Sequence, residues 1–167
     1  MIVLRNKEFS ISVINLYHIT KKENLPGIKK EGLRTKYMKV RKENELLGLP
    51  NSGLIYTVLN KHKLVKPVKS DKYVMISITL PKNIYDNMEK IEGDPVWHWA
   101  KKLGEKKAKE KIAEAFRKMN PEKFGNMTTD EIFRDSTPFE YMSPDNCIVF
   151  KEDIDPKYIS VVPSSLN

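Results

Sequence analysis

Apolar positions along the chain fall into two kinds of run. Short β-rich stretches, alternating or continuous, lie at 13–19, 53–59, 73–80 and 146–150; such runs bounded by turn residues predict strands. Pro81 closes the third, because proline cannot continue a ladder. Between the first two strands, Asn24-Leu25-Pro26-Gly27-Ile28 and the following Gly32-Leu33 predict a short helix. Asn24 suits its N-cap, Pro26 its first turn and Gly32 a left-handed C′ position, with Leu25, Ile28 and Leu33 facing a core. Residues 36–52 are polar and contain Gly48, Pro50 and Asn51, which predicts a partly structured loop. Asp94-Pro95 opens the strongest helical stretch, 96–119, where Trp97, Ala100, Leu103, Ala108, Ile112, Ala115, Phe116 and Met119 recur at three and four. Thr128 to Glu131 resembles a capping box ahead of a short helix ending at Arg134. Residues 154–162 close the chain.

Strands on either side of a helical insert, with few βαβ crossovers, point to an α+β fold. No Gly-x-Gly-x-x-Gly or Walker loop occurs, which argues against Rossmann and P-loop nucleotide sites. A chain of 167 residues fits one domain, 1–167. At 40% hydrophobic and 31% charged it is too apolar for disorder and too charged for a membrane protein. The first sixteen residues carry Arg5, Lys7 and Glu8, unlike a signal peptide. A soluble cytoplasmic domain with no membrane partner is the expectation.

The lone Cys147 cannot form an internal disulfide, and with the scattered His18, His62 and His98 it makes no metal-ligand set. The net charge of +8 raises encounter with polyanions. In the lysine-rich helical stretch, Glu105, Glu110 and Glu114 interleave with the basic residues, so a solvated face with i to i+4 pairs stands beside a phosphate track. Trp97 is expected on the apolar stripe and Trp99 off it. Glu152, in Lys151-Glu152-Asp153, is expected to face solvent.

The opening unit carries the sharpest chemistry. Tyr17-His18-Ile19-Thr20, then Asn24-Leu25, then Ile28-x-x-x-Gly32-Leu33 resembles the first strand and helix of NAD-dependent ADP-ribosyltransferases of the diphtheria-toxin and poly-ADP-ribose polymerase branch. The pattern is nearest to DarT-type DNA-modifying toxins. It extends to Ile55-Tyr56-Thr57, to the strand ending at Pro81, and to a closing Ile-x-Pro-x-x-Ile at Ile154, Pro156 and Ile159. The resemblance implies a split, mainly antiparallel sheet with flanking helices and NAD as substrate. It also implies mono-ADP-ribosyl transfer, which the basic charge directs to a nucleic-acid acceptor, and a possible antitoxin partner.

By the same resemblance His18, Ile19 and Thr20 form the NAD-binding strand, Tyr56 stacks on nicotinamide, and Arg34 and Arg41 contact the pyrophosphate. A histidine can hydrogen-bond a ribose hydroxyl, and an aromatic plane packs on the nicotinamide ring. Each residue also has an ordinary packing role to set beside this one. The family's glutamate begins the strand before the Ile-x-Pro segment, and counting back from Ile154 lands near Cys147. The nearest carboxylates are Glu140, in Pro138-Phe139-Glu140-Tyr141, and Asp145; Glu140 is favoured, because flanking aromatics can raise its pKa. A catalytically altered or inactive binding module of the same fold is the alternative. The related tRNA 2′-phosphotransferase reaction needs further arginine and histidine positions that this sequence does not match.

Overall fold

A computed structural model describes residues 12–49, 52–59, 71–134 and 142–163. The chain enters through β1 (Val13–Lys21), turns through a short 3-10 segment (Lys22–Asn24) into α1 (Leu25–Glu31), and after a second such segment (Thr35–Tyr37) forms α2 (Lys42–Leu46). Next come β2 (Ile55–Val58), β3 (Tyr73–Pro81), α3 (Lys82–Asn87) and β4 (Lys90–Glu92). A helical insert follows, α4 (Pro95–Leu103), α5 (Glu105–Met119), α6 (Pro121–Phe124) and α7 (Thr129–Arg134), before β5 (Cys147–Phe150) and β6 (Ile159–Val161). The strands form one six-stranded sheet, β4-β5-β2-β1-β3-β6. Every neighbouring pair is antiparallel. The fold class is α+β.

Period-two alternation divides the side chains between the two faces of the sheet. Leu16, Ile55, Ile76, Ile78, Leu80, Ile148 and Phe150 share one face and pack with Ile28 of α1, Leu33 and Ile154. Each fully buried aliphatic contributes about 1.5–3 kcal/mol, so this layer anchors β1 and the Ile154 segment on one core. On the opposite face Leu54, Cys147 and Val149 form a smaller cluster with Tyr56 and Ile91. Farther along the sheet, Ser77 bonds Ser160 and Thr79 bonds Asn15, all in solvent. An antiparallel sheet tolerates one wet face in this way.

Two local expectations are corrected. Residues 96–119 do not make one helix: the stretch breaks at Gly104, whose φ of +97° lies outside helical space. The buried side of α4 is led by Val96 and Ala100. Trp97 and Trp99 are both half-buried, and Lys101 lies over the Trp97 ring. Asn24 sits at the α1 N-cap without capping it: its backbone is already helical (φ −83°, ψ −15°), continuing the 3-10 turn, and its side-chain amide donates to Thr20 Oγ1 at 3.1 Å. The Thr128 box does form: Thr128 Oγ1 accepts from the Glu131 amide, and the Glu131 carboxylate accepts from the Thr128 amide. On α5 two i to i+4 pairs form, Lys109–Glu105 and Lys118–Glu114. Among the described residues no helix is long and apolar enough to cross a membrane.

Candidate functional site

The sheet has an open seam. β1 pairs with β3 along all nine of its residues, but with β2 only at Tyr17↔Val58. Beyond that pair the two central strands no longer share a ladder, and a backbone acceptor facing the gap needs another donor. His18 supplies one: its Nδ1 lies 2.7 Å from the Tyr56 carbonyl oxygen. Since a carbonyl only accepts, Nδ1 carries the proton, and a neutral ring keeps its lone pair on Nε2. Burial pushes the His18 pKa below its ordinary value, Tyr56 opposes that shift, and the Arg41 charge adds to it. The ring is therefore neutral at pH 7.

His18 also lines a cleft of about 730 Å³, together with Ile19, Thr20, Asn24, Gly27, Gly32, Leu33 and Arg34. The wall is built by the local chain path. Asn24 ties the turn to Thr20, and Gly32 (φ +81°) ends α1 and passes the chain to Leu33. Leu33 then exchanges both backbone hydrogen bonds with Ile154, at 3.0 and 2.8 Å. Asp153 holds the next turn, accepting from the Thr35 amide at 2.7 Å and from its hydroxyl at 3.1 Å. Those bonds, with Arg34 at 3.2 Å, hold the Asp153 carboxyl below its usual value. Tyr37, Met38, Lys39 and Tyr73 add to the lining.

Tyr56 meets His18 through its backbone, not its ring. Its side chain lies on the other face of the sheet, against Leu54, Cys147 and Val149, and is not among the groups lining the cleft. The ring is held at its hydroxyl by the Asn44 amide, 3.2 Å away. Arg41 stacks on it, with the guanidinium carbon 3.4 Å from the ring centroid. Asp94 Oδ2 grips Arg41 at 3.0 Å, while Asp94 Oδ1 caps α4 through the Val96 amide. Burial, reinforced by Asp94, pushes the Tyr56 hydroxyl up to about 12. Arg41 is thus committed to Tyr56 and Asp94 and does not line the cleft, whereas Arg34 does.

The carboxylate expectations divide. Glu140 lies outside the described residues. Asp145 is exposed in the turn before β5. Cys147, near the counted position, is buried, and desolvation pushes its thiol up to about 12, so it carries no charge at neutral pH. Glu152 is exposed and accepts from the Glu89 amide. Among the described residues the one carboxylate lining the cleft is Glu23, paired with Lys21 at 3.6 Å. Sequence reasoning missed Asp94 as a partner of Arg41, since it marked only a helix start. Comparison with protein-family models, curated proteins and solved structures gives no match to the chain.

The His18 environment predicts a pH effect on stability. With the native pKa below the unfolded value of about 6.5, the unfolded chain binds a proton in that interval and the native protein does not. Stability is therefore full above pH 6.5 and falls as acid carries the solution down towards the native pKa. Urea midpoints across this range should slope in the wild type and flatten in His18→Asn. Equal slopes would assign the effect to other groups.

Proposed function

We infer that the chain is an NAD-dependent mono-ADP-ribosyltransferase with an ADP-ribosyltransferase-like fold and a nucleic-acid acceptor. One observation carries the reading: the run that resembles the family, from His18 to Leu33, lines a single cleft of about 730 Å³. That size is within the range of small-molecule sites. His18 Nε2 is suited to accept from a ribose hydroxyl, the Ile19–Thr20 backbone to hold the carboxamide, and Arg34 to meet the pyrophosphate.

In the reaction the bond from the ribose C1″ to the nicotinamide nitrogen breaks, and nicotinamide leaves with the electron pair. Positive charge grows at C1″ until a base nitrogen or oxygen of the acceptor attacks and loses its proton. A carboxylate near C1″ stabilises that charge; Glu140 is the candidate, since Asp145 does not line the cleft. The basic chain, +8 overall, favours a polyanionic acceptor.

Incubation with labelled NAD tests this. Nicotinamide release that rises with single-stranded DNA or RNA is expected. No release and no NAD-induced thermal shift would sink the reading. The burial of Cys147 where the family's glutamate is expected favours a second reading, a binding module of this fold. That reading requires nucleic-acid binding without release.

A further inference from the structure

Exposed apolar side chains scattered singly need no explanation, but gathered beside a cleft they mark a contact surface. Among the described residues two aromatic rings stand well out in water, Tyr37 at 63% exposure and Tyr73 at 41%. Both line the cleft that His18 lines, so they sit at its rim. Each is carried by fixed backbone. Tyr73 opens β3 opposite Lys21, and the Lys22 amide bonds the Lys72 carbonyl at 2.9 Å to close that end of the sheet. Tyr37 ends the 3-10 turn that Asp153 ties down through Thr35, and its hydroxyl donates to Glu31 at 3.4 Å.

The charge beside these rings is basic. Lys36 Nζ lies over the Tyr37 ring, 4.8 Å from its centroid, and Lys21, Arg34 and Lys39 line the cleft. Glu23 answers Lys21 and Asp153 answers Arg34. Lys39 is exposed and makes no ion pair among the described residues. Aromatic faces with ammonium groups next to them suit a polymer that offers a flat base and a phosphate at every repeat. A duplex keeps its base faces stacked on one another and offers such rings only its phosphates. We propose that Tyr37 and Tyr73 form a stacking platform for the unpaired bases of a single-stranded nucleic acid, with Lys36 and Lys39 meeting its phosphates. Binding of the strand rests on the exposed rings and the charge beside them. That the bound strand is the acceptor rests on the transferase reading above, under which the rim holds its bases next to the NAD cleft.

Fluorescence anisotropy tests this with a labelled single strand of about 12 nucleotides, the same sequence as a duplex, and labelled heparin, a polyanion without bases. The wild type should prefer the single strand to the duplex. Tyr37→Ala and Tyr73→Ala should each weaken the single strand about tenfold and leave heparin nearly untouched. Tyr37→Phe keeps the stacking face and should bind as the wild type does. Lys39→Ala should reduce the slope of log affinity against log salt by about 0.7, while Tyr37→Ala leaves that slope in place. Unchanged single-strand affinity in both alanine variants overturns the proposal, as does an equal loss for heparin or a duplex bound as tightly as the strand. An unchanged slope in Lys39→Ala overturns its phosphate contact.

The adenine of NAD is the other flat base with access to the rim. ADP-ribose should lose far less affinity than the strand in the two alanine variants; an equal loss assigns the rings to adenine and overturns the proposal. Nicotinamide release is scored separately in the wild type. Ring-dependent strand binding without release keeps the platform and removes the transferase reading, and release with ring-independent strand binding does the reverse.

Discussion

Gly32→Ala is expected to lower the unfolding free energy by about 2–4 kcal/mol, read as a reduced urea midpoint at unchanged slope. Two causes add. At φ +81° an L side chain sits in left-handed space at a cost of about 1–2 kcal/mol. A Cβ there would also overlap the Ile154 carbonyl oxygen and come within 3.0 Å of the Pro156 ring. That carbonyl cannot yield, because it accepts from the Leu33 amide in the Leu33↔Ile154 bridge. Relief would separate the end of α1 from the closing segment and open the cleft wall. Gly48→Ala isolates the first cause, since its φ is +69° but a Cβ there meets open space. It should cost about 1 kcal/mol. Equal losses in the two variants would mean that the Ile154 contact does not matter.

The same bridge shows what local sequence can and cannot reveal. Gly32 was readable as a helix stop, because its conformational freedom is intrinsic. Its close approach to Ile154 was not, since no local rule sets the distance between residues so far apart in the chain. The β-rich runs gave up β1, β2, β3 and β5, some by alternation, as in β2, and β5 by a continuous apolar run that is buried throughout. Gly104 was hidden inside an apolar stripe that reads the same whether the helix is continuous or broken. Asn24 misled for a related reason: it continues the 3-10 turn with a helical backbone, where an N-cap needs an extended one.

The site was legible in the same uneven way. His18, Ile19, Thr20 and Arg34 lie close together in sequence and line one cleft. Tyr56 and Arg41 belong to a neighbouring arrangement centred on Asp94, 53 residues beyond Arg41. Side-chain type alone could not say whether Arg41 would meet a ligand phosphate or a protein carboxylate. The open seam between β1 and β2 makes His18 the hinge of both arrangements, since it is the residue whose two ring nitrogens face different tasks.

Those two tasks can be separated. His18→Ala is expected to weaken NAD binding about tenfold to a hundredfold, the equivalent of roughly 1.5–3 kcal/mol, measured by calorimetry. The variant loses the Nε2 acceptor toward the cleft, and it leaves the Tyr56 carbonyl at the seam without its 2.7 Å donor. His18→Asn distinguishes the two losses, because its side-chain amide can donate where Nδ1 does but nothing replaces Nε2. The asparagine variant should keep near-wild-type stability and still lose most of the NAD affinity. If it restores both, His18 serves only to close the seam, and the cleft must take its ligand's ribose by other groups. If neither variant changes NAD affinity while both lower stability, the ring's contact with the Tyr56 carbonyl is its whole contribution.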